Sequence, residues 1–472
     1  MSRSGIVCTI GPATCSAESI KAMRAAGMTM ARLNGSHSDL DWHAAAIALL
    51  RQSVPDVPIL LDIPGRKIRT GALAVEPAFA AGDRIVLTTD PSHDGSREVP
   101  VNYANLHEDL SPGNVILADD GTLRFTVEEI RGRSIVCRAD CAGRLKSRKG
   151  INVPFVKLRT AMVTDRDRGM VDFAKQRGVD YIGISFVESG EHVERIRELI
   201  GDTWPRIVSK VENQGGLDNV EAVVAATDAI MIDRGDLSVE TQLETIALDQ
   251  KRVLEVARRH GKPVIVATEM LHTMIENPFP TKAEVSDITN AVLDGCAATM
   301  LSGETAIGAH YLKAVETMRS VADRAAAYLK QADRPLGEPR SVPQAMEDAV
   351  ALICRELPIT KIVAVTISGY AARMIAARRP RQPILAVSND PMTARAMNLY
   401  YGTTGHHLDI PFSRTSLDHV AHCLEFLWRQ RALVDDDLIL VTSVGYPRSG
   451  NRMNLIQTHA VADLVGTLGW TR

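Results

Sequence analysis

Short apolar runs recur along the chain, each closing on a cluster of polar or glycine residues. Residues 5–11, 29–36 and 58–65 come first, and after a long gap the pattern resumes at 180–187, 205–212, 229–236, 263–270 and 298–304. That makes eight candidate strands. Between most of them the apolar positions follow a helical period. From Leu243 to His260 the residues Leu243, Ile246, Val253, Leu254 and Ala257 fall on one side, and Gly261-Lys-Pro263 stops the pattern. Strand–helix alternation repeated in this way predicts an α/β fold, a closed parallel (β/α)8 TIM barrel with helices outside.

The gap from Arg69 to Val156 reads differently. Runs at 84–89, 114–118, 122–127 and 134–137 are short and parted by Gly and Asp turns, which predicts a small inserted β-barrel. Its place after the third strand sets it over the barrel mouth as a lid. Residues 333–343 are rich in Pro, Gly and charge and read as a linker. Beyond it, helices at 345–357 and 370–379 and strands at 361–366, 383–387 and 437–442 predict a C-terminal α/β open-sheet domain. The expected bounds are 1–68 and 158–332 for the barrel, 69–157 for the lid and 333–472 for the last domain.

Composition changes this picture only at the margins. A length of 472 residues suggests about three domains. With 45% hydrophobic and 24% charged residues, the chain has the balance of a soluble protein with a sizeable core. Lys and Arg number 54 against 57 Asp and Glu, so neither sign dominates the long-range field, and binding to nucleic acid or a membrane surface is not expected. The seven cysteines are scattered, form no Cys-x-x-Cys, and suit free thiols in a reducing compartment. There is no charged N-terminal region leading into a long apolar stretch, so the cytoplasm is the expected location.

In a barrel of this kind function collects at the C-terminal ends of the strands. Those ends carry Arg32, Asn34, Asp62, Lys210, Glu212, Asp236, Thr268 and Glu304. Random placement would rarely put an ionisable or hydroxyl residue at almost every strand end. Alternation points Lys210 and Glu212 the same way, and the same spacing puts Arg234 and Asp236 on one face of the next strand. Two carboxylates from adjacent strands, with no His or Cys nearby, suit Mg²⁺ or Mn²⁺. A lysine beside such an ion can neutralise charge on a transferring phosphoryl group. A salt-bridged pair closing the barrel end accounts for the same residues equally well. The usual nucleotide fingerprints are missing: Gly303-Glu-Thr-Ala-Ile-Gly308 starts like a phosphate loop, but Ala309-His310 follows where Lys-Ser/Thr is needed. Phosphate binding would have to use barrel-end side chains and helix N-termini.

Cys8-Thr-Ile-Gly-Pro-Ala-Thr14, Ala31-Arg-Leu-Asn-Gly-Ser-His37, Lys149-Gly-Ile-Asn-Val-Pro154, Ser209-Lys-Val-Glu-Asn213, Arg234-Gly-Asp-Leu237 and Lys262-Pro-Val-Ile-Val-Ala-Thr268 resemble successive signatures of the pyruvate kinase family. So does Ala283-Glu-Val-Ser-Asp287 running on to Met300-Leu-Ser-Gly-Glu-Thr305, and the order holds over nearly the whole chain. The resemblance implies Mg²⁺-dependent phosphoryl transfer from phosphoenolpyruvate to ADP, giving pyruvate and ATP, the last step of glycolysis. It implies Glu212 and Asp236 as ligands of the divalent ion, Lys210 on the transferring phosphoryl group, and Arg32 gripping the same phosphate. Thr268 would belong to the proton path to the enolate carbon. The backbone at Gly235 and Asp236 would receive the substrate carboxylate. His37 and Arg69 would face the nucleotide phosphates, with Asp120 and Lys149 on the closing lid. A cytoplasmic homotetramer is expected on the same ground.

Asn34, Ser36 and Asp62 match the family's monovalent-cation site, but Lys67 stands where cation-dependent members have Glu. An ammonium there can supply the positive charge, so activity without added K⁺ is expected. Three further departures add negative potential or lose a small residue: Asp233 precedes Arg234 where a small residue is usual, Ser238 replaces Gly, and Glu269 replaces Gln. Either they pair locally with Arg or Lys, or the preferred acceptor or donor has shifted. Thr366-Ile-Ser-Gly-Tyr-Ala371 matches an effector phosphate loop without its basic residue, which argues against sugar-phosphate activation. Residues 460–472 carry no legible role. Two rival functions are a carbon–carbon lyase acting on pyruvate or its enolate, and a catalytically weak metabolite-binding paralogue.

Overall fold

The computed structural model describes residues 3–119, 121–156, 158–201, 204–329, 342–413, 416–444 and 453–471. Eight parallel strands close a barrel in chain order: β1 (Gly5–Thr9), β2 (Met30–Asn34), β3 (Ile59–Ile63), β4 (Tyr181–Ile184), β5 (Arg206–Val211), β6 (Ala229–Asp233), β7 (Val264–Ala267) and β8 (Ala298–Leu301). Closure runs through β1 and β8, where Gly5 pairs with Ala298. Each strand is almost wholly buried, as in Ile59–Ile63, because helices cover the outer face and side chains fill the inner one. That double burial is why the strands read as unbroken apolar runs.

The inner residues Val7, Met30, Leu60, Tyr181, Val208 and Met231 run on into the core of the C-terminal sheet domain. Tyr181 crosses that junction and donates its hydroxyl to the Ala396 carbonyl at 2.9 Å. The barrel floor is therefore sealed by packed side chains, and its opposite end, where the strand C-termini lie, is free for chemistry. One helical expectation needs correcting. Leu243 sits in a separate 3₁₀ turn, Leu243–Thr245, with 65% of its surface exposed, and the α-helix begins at Ile246.

Between β3 and β4 the chain makes a seven-stranded sheet around Leu87, Ile116, Phe125 and Ile135. Its edge strands, Ile68–Arg69 and Val99–Pro100, are joined by a Thr70–Val101 bridge and by Gly71 N–H donating to the Pro100 carbonyl at 2.7 Å, so the sheet curls onto itself. The C-terminal sheet has the order Thr403–His407, Ile384–Ser388, Lys361–Val365, Leu438–Ser443, Leu455–Ala460, with only the last strand antiparallel. The tail now has a role. Helix Val461–Leu468 leads to Trp470, whose ring lies 5.8 Å from that of Trp428, and both are buried. The expected linker falls mostly outside the described residues, and the helix after it, Val342–Glu356, starts earlier than the pattern suggested. All seven cysteines are free thiols, and among the described residues no helix is long and apolar enough to cross a membrane.

Candidate active site

β5 carries Lys210 inward at the barrel mouth, and Glu212 follows just past its end. Lys210 is buried, with Nζ 2.9 Å from Glu212 Oε2, 3.0 Å from Asp233 Oδ2 and 3.5 Å from Asp62 Oδ2. It also donates to Ser185 Oγ at 3.3 Å. Burial alone would lower the pKa of this ammonium, but Asp62, Glu212 and Asp233 outweigh that and hold it well above its ordinary value. Lys210 is a fixed, desolvated positive charge. Arg32 on β2 points to the same place: its Nε and Nη2 donate to Asp62 Oδ2 at 3.2 and 2.5 Å, and Nη1 donates to Thr9 Oγ1. Two cations thus converge on one carboxylate oxygen.

The expectation that Arg234 and Asp236 share a strand face fails. β6 ends at Asp233, and Arg234–Glu240 is a helix, so the period of two stops one residue too soon. Arg234 turns toward Asp287 at 2.6 Å and donates to the Thr268 carbonyl at 2.7 Å. Asp236 instead accepts from Lys67 Nζ at 2.5 Å. Asp233 takes the strand-face position, and the ligand oxygens of Glu212, Asp233 and Asp236 lie within 4.8 Å of one another.

These residues fit a hard divalent ion. The donors are carboxylate oxygens only, and Glu212 Oε2 is buried with the Lys210 ammonium 2.9 Å away, so it is held as an ionic oxygen rather than capped by a neutral donor. Its partner oxygen Oε1 accepts from the Phe186 amide at 2.7 Å, which fixes the carboxylate plane. Burial raises Glu212 well above the usual carboxylate range against the pull of Lys210, with Asp233 and Asp236 pushing it further. For Asp233 burial pulls upward too, but Lys210, Arg32 and Lys67 win and hold it below its ordinary value.

Thr268 follows β7 with φ +65°, and Glu269 follows at +54°. A β-branched residue at positive φ is strained and is kept there only by its surroundings. Here Gly235 N–H donates to Thr268 Oγ1 at 2.8 Å, and Arg234 holds the Thr268 carbonyl. The amide expected to meet a substrate carboxylate is therefore already turned into the mouth, with Thr268 as its present partner.

The other expected residues are placed less tightly. His37 lies close enough to Arg69 and Arg32 that both add to burial in lowering its pKa. Arg69 is held by the Arg148 carbonyl, and Lys149 pairs with Asp119 at 2.7 Å on the lid. Asp120 lies outside the described residues. Asn34 Oδ1 accepts from the Ser36 amide at 3.1 Å, and Asp62 is engaged by Arg32 and Lys210. Among the described residues Lys67 makes its ion pair with Asp236 and not with Asp62, so its charge acts beside the divalent-ion residues rather than from within the Asn34, Ser36 and Asp62 group. Of the three departures, Asp233 pairs with Lys210, Ser238 donates to the Gly235 carbonyl of its own helix, and Glu269 is exposed.

Sequence reasoning missed Ser185, Phe186 and Asp287 as positioning groups. Asp287 lay inside a motif already noted, but its partner Arg234 is 53 residues away. It also missed a hydrogen bond from the inserted sheet to the barrel, where Asn152 donates to Glu240 Oε1 at 2.6 Å. Burial pushes the Glu240 carboxyl up to about 7, against that hydrogen bond.

Comparison with known proteins places this geometry. Residues 1–315 match the family profile "Pyruvate kinase, barrel domain", and residues 344–459 match "Pyruvate kinase, alpha/beta domain". The chain is 36% identical to a pyruvate kinase of Bacillus licheniformis, over 98% of this chain and 81% of that protein. It is 34% identical to one of Mycobacterium tuberculosis, over 98% and 99% of the two chains. The crystal structure of a pyruvate kinase from Cryptosporidium parvum superposes with a TM-score of 0.88 at 31% identity, covering 98% of this chain and 96% of that one. With family profiles matched in both the barrel and the C-terminal sheet, and relatives aligned over 98% of this chain, the chain belongs to the pyruvate kinase family.

Proposed function

We propose that this chain is a pyruvate kinase, moving the phosphoryl group of phosphoenolpyruvate onto ADP to give pyruvate and ATP in the last step of glycolysis. The observation that carries this is the convergence of the buried Lys210 ammonium and the Arg32 guanidinium on one point of the barrel mouth, beside the Glu212 and Asp236 carboxylates. In the reaction the bond from phosphorus to the enol oxygen breaks and a bond to the terminal phosphate oxygen of ADP forms. The enolate keeps the electron pair and takes a proton at carbon. Arg32 would hold the phosphoryl oxygens with its fork of donors, and Lys210 would neutralise the charge spread over them in the transition state. Glu212 and Asp236 would hold Mg²⁺ or Mn²⁺, which when bound supplies Lewis-acid charge to the substrate oxygens.

Gly235 and the helix start would receive the substrate carboxylate, releasing Thr268 Oγ1 to serve the proton path. His37 and Arg69 would meet the nucleotide phosphates. Lys149 and Asp120 would join them in binding the nucleotide from the lid, whose closure excludes water that would otherwise hydrolyse the donor. A cytoplasmic homotetramer belongs to the same proposal.

The test is ADP-dependent pyruvate formation from phosphoenolpyruvate by the full chain with Mg²⁺. Its absence sinks the reading. Metal-dependent cleavage of oxaloacetate without nucleotide would move the protein to the lyase class, and binding without turnover to the metabolite-binding one.

The Lys67–Asp236 ion pair at 2.5 Å supports independence from K⁺, because it already sets a monovalent positive charge beside the site. Equal rates are expected in KCl and in tetramethylammonium chloride at matched ionic strength. An absolute requirement for K⁺ would remove Lys67 from that role.

A further inference from the structure

Asp233, like Lys67, departs from the family pattern and sits at the mouth. It is the last residue of β6, 5% exposed, and its carboxylate stands among the ligand oxygens of Glu212 and Asp236. Its Oδ2 lies 3.0 Å from Lys210 Nζ. On contact alone it could be no more than the counter-ion of Lys210.

The local charge argues for more. Lys210 and Lys67 pair with Glu212 and Asp236 respectively. With both carboxylates ionised, as an ion ligand must be, those four side chains sum to zero, and a divalent ion entering among them would meet two ammonium groups with no net attraction. Asp62 does not change this, because Arg32 occupies it in a 2.5 Å ion pair. Asp233 shares Lys210 with Glu212, and it adds one further negative charge where its oxygens meet those of Glu212 and Asp236. Ligand charge count is a main determinant of affinity for hard cations.

We propose that Asp233 is a third carboxylate of the divalent-ion site, balancing Lys67 so that the ion is retained without a monovalent cation. The proposal rests on the pyruvate kinase reading for the identity of the ion's other ligands. It assigns Lys67 and Asp233 as a coupled pair: a lysine that adds positive charge beside the ion, and an aspartate that offsets it.

The experiment is a Mn²⁺ titration of the full chain, without substrate or nucleotide, reading free Mn²⁺ by electron paramagnetic resonance. Asp233→Ala should weaken Mn²⁺ binding by roughly ten-fold or more, and the isosteric Asp233→Asn by a similar or smaller factor. Lys67→Glu should tighten binding, and the double variant Lys67→Glu with Asp233→Ala should return toward the wild-type affinity. Circular dichroism confirms that each variant is folded, and Asp233→Asn carries the test should the alanine variant fail that check. Mn²⁺ affinity unchanged or increased in folded Asp233→Ala or Asp233→Asn overturns the proposal and leaves Asp233 as a counter-ion of Lys210. Absence of saturable Mn²⁺ binding by the wild type overturns it too. Pyruvate formation by the wild type is measured separately, so loss of the functional reading and loss of the third ligand give different results.

Discussion

Replacing Lys210 by Met is expected to cut the turnover number for pyruvate formation by about 10³-fold or more, the scale set by losing a preorganised cation at a transferring phosphoryl group. Methionine keeps the length and apolar stem of lysine and deletes only the charge. That charge does its work because it is buried and already in place: Glu212, Asp233 and Ser185 hold Nζ at 2.9, 3.0 and 3.3 Å before any substrate arrives, so no reorganisation is needed as charge develops. In a site this dry each elementary charge is felt far more strongly than in water. Lys210→Arg should not rescue turnover, because a planar fork cannot occupy the point between three carboxylates that a compact ammonium fills. The variant should also unfold earlier in metal-free buffer, since Asp62, Glu212 and Asp233 lose a shared counter-ion, and Mg²⁺ should restore part of that loss. Steady-state kinetics, with Mn²⁺ binding and circular dichroism as controls, decide the matter. A folded Lys210→Met protein within ten-fold of the wild-type rate would remove Lys210 from the chemistry.

The barrel was legible because its strands are buried on both faces and its helices on one, so the sequence shows unbroken apolar runs separated by a 3.6-residue period. Legibility failed where an element is too short or too polar to carry a period. Strand Thr403–His407 contains no apolar residue, and Ile68–Arg69 and Val99–Pro100, though buried at Ile68 and Val99, are two residues long and too short to show a period. At the site, residue types were readable and pairings were not. Lys210 and Glu212 are near neighbours in sequence, so alternation placed both correctly. Lys67 and Asp236 are 169 residues apart, and nothing local announces their contact. Extending the strand period past Asp233 misplaced Arg234 and Asp236, because a helix begins where the pattern still looked extended. In the sequence Asp233 is only an unusual residue beside a motif; its surroundings depend on Lys210, which contacts it, and on the charge of Lys67, both brought from elsewhere in the fold. The positive φ of Thr268 has no sequence signature at all, since a threonine ending a β-rich run is the least expected residue to adopt it.

Asp62→Ala is expected to destabilise the protein by about 3–5 kcal/mol, the cost of leaving buried charges without their partner. Asp62 Oδ2 accepts from Arg32 at 2.5 and 3.2 Å and lies 3.5 Å from Lys210, and the three side chains are at most 7% exposed. Without it, Arg32 and Lys210 face each other across a dry gap. Arg32→Met should cost less, because Asp62 keeps Lys210 as a counter-ion. The double variant Arg32→Met with Asp62→Ala should be more stable than Asp62→Ala alone, because it deletes the cation that the aspartate loss leaves unpaired. This ordering separates an electrostatic cost from a simple cavity, for which removing more atoms could only do further harm. Substrate should offset part of the loss. A phosphate group that binds Arg32 and Lys210 supplies the missing negative charge, so phosphoenolpyruvate should protect Asp62→Ala against thermal unfolding more than it protects the wild type. The measurement is urea and thermal unfolding of the full chain without metal, followed by far-ultraviolet circular dichroism, with and without phosphoenolpyruvate. A loss below about 1 kcal/mol in Asp62→Ala, the level of an exposed ion pair, would show that this network is solvated in the working protein and that Arg32 does not need the Asp62 carboxylate to hold it in place.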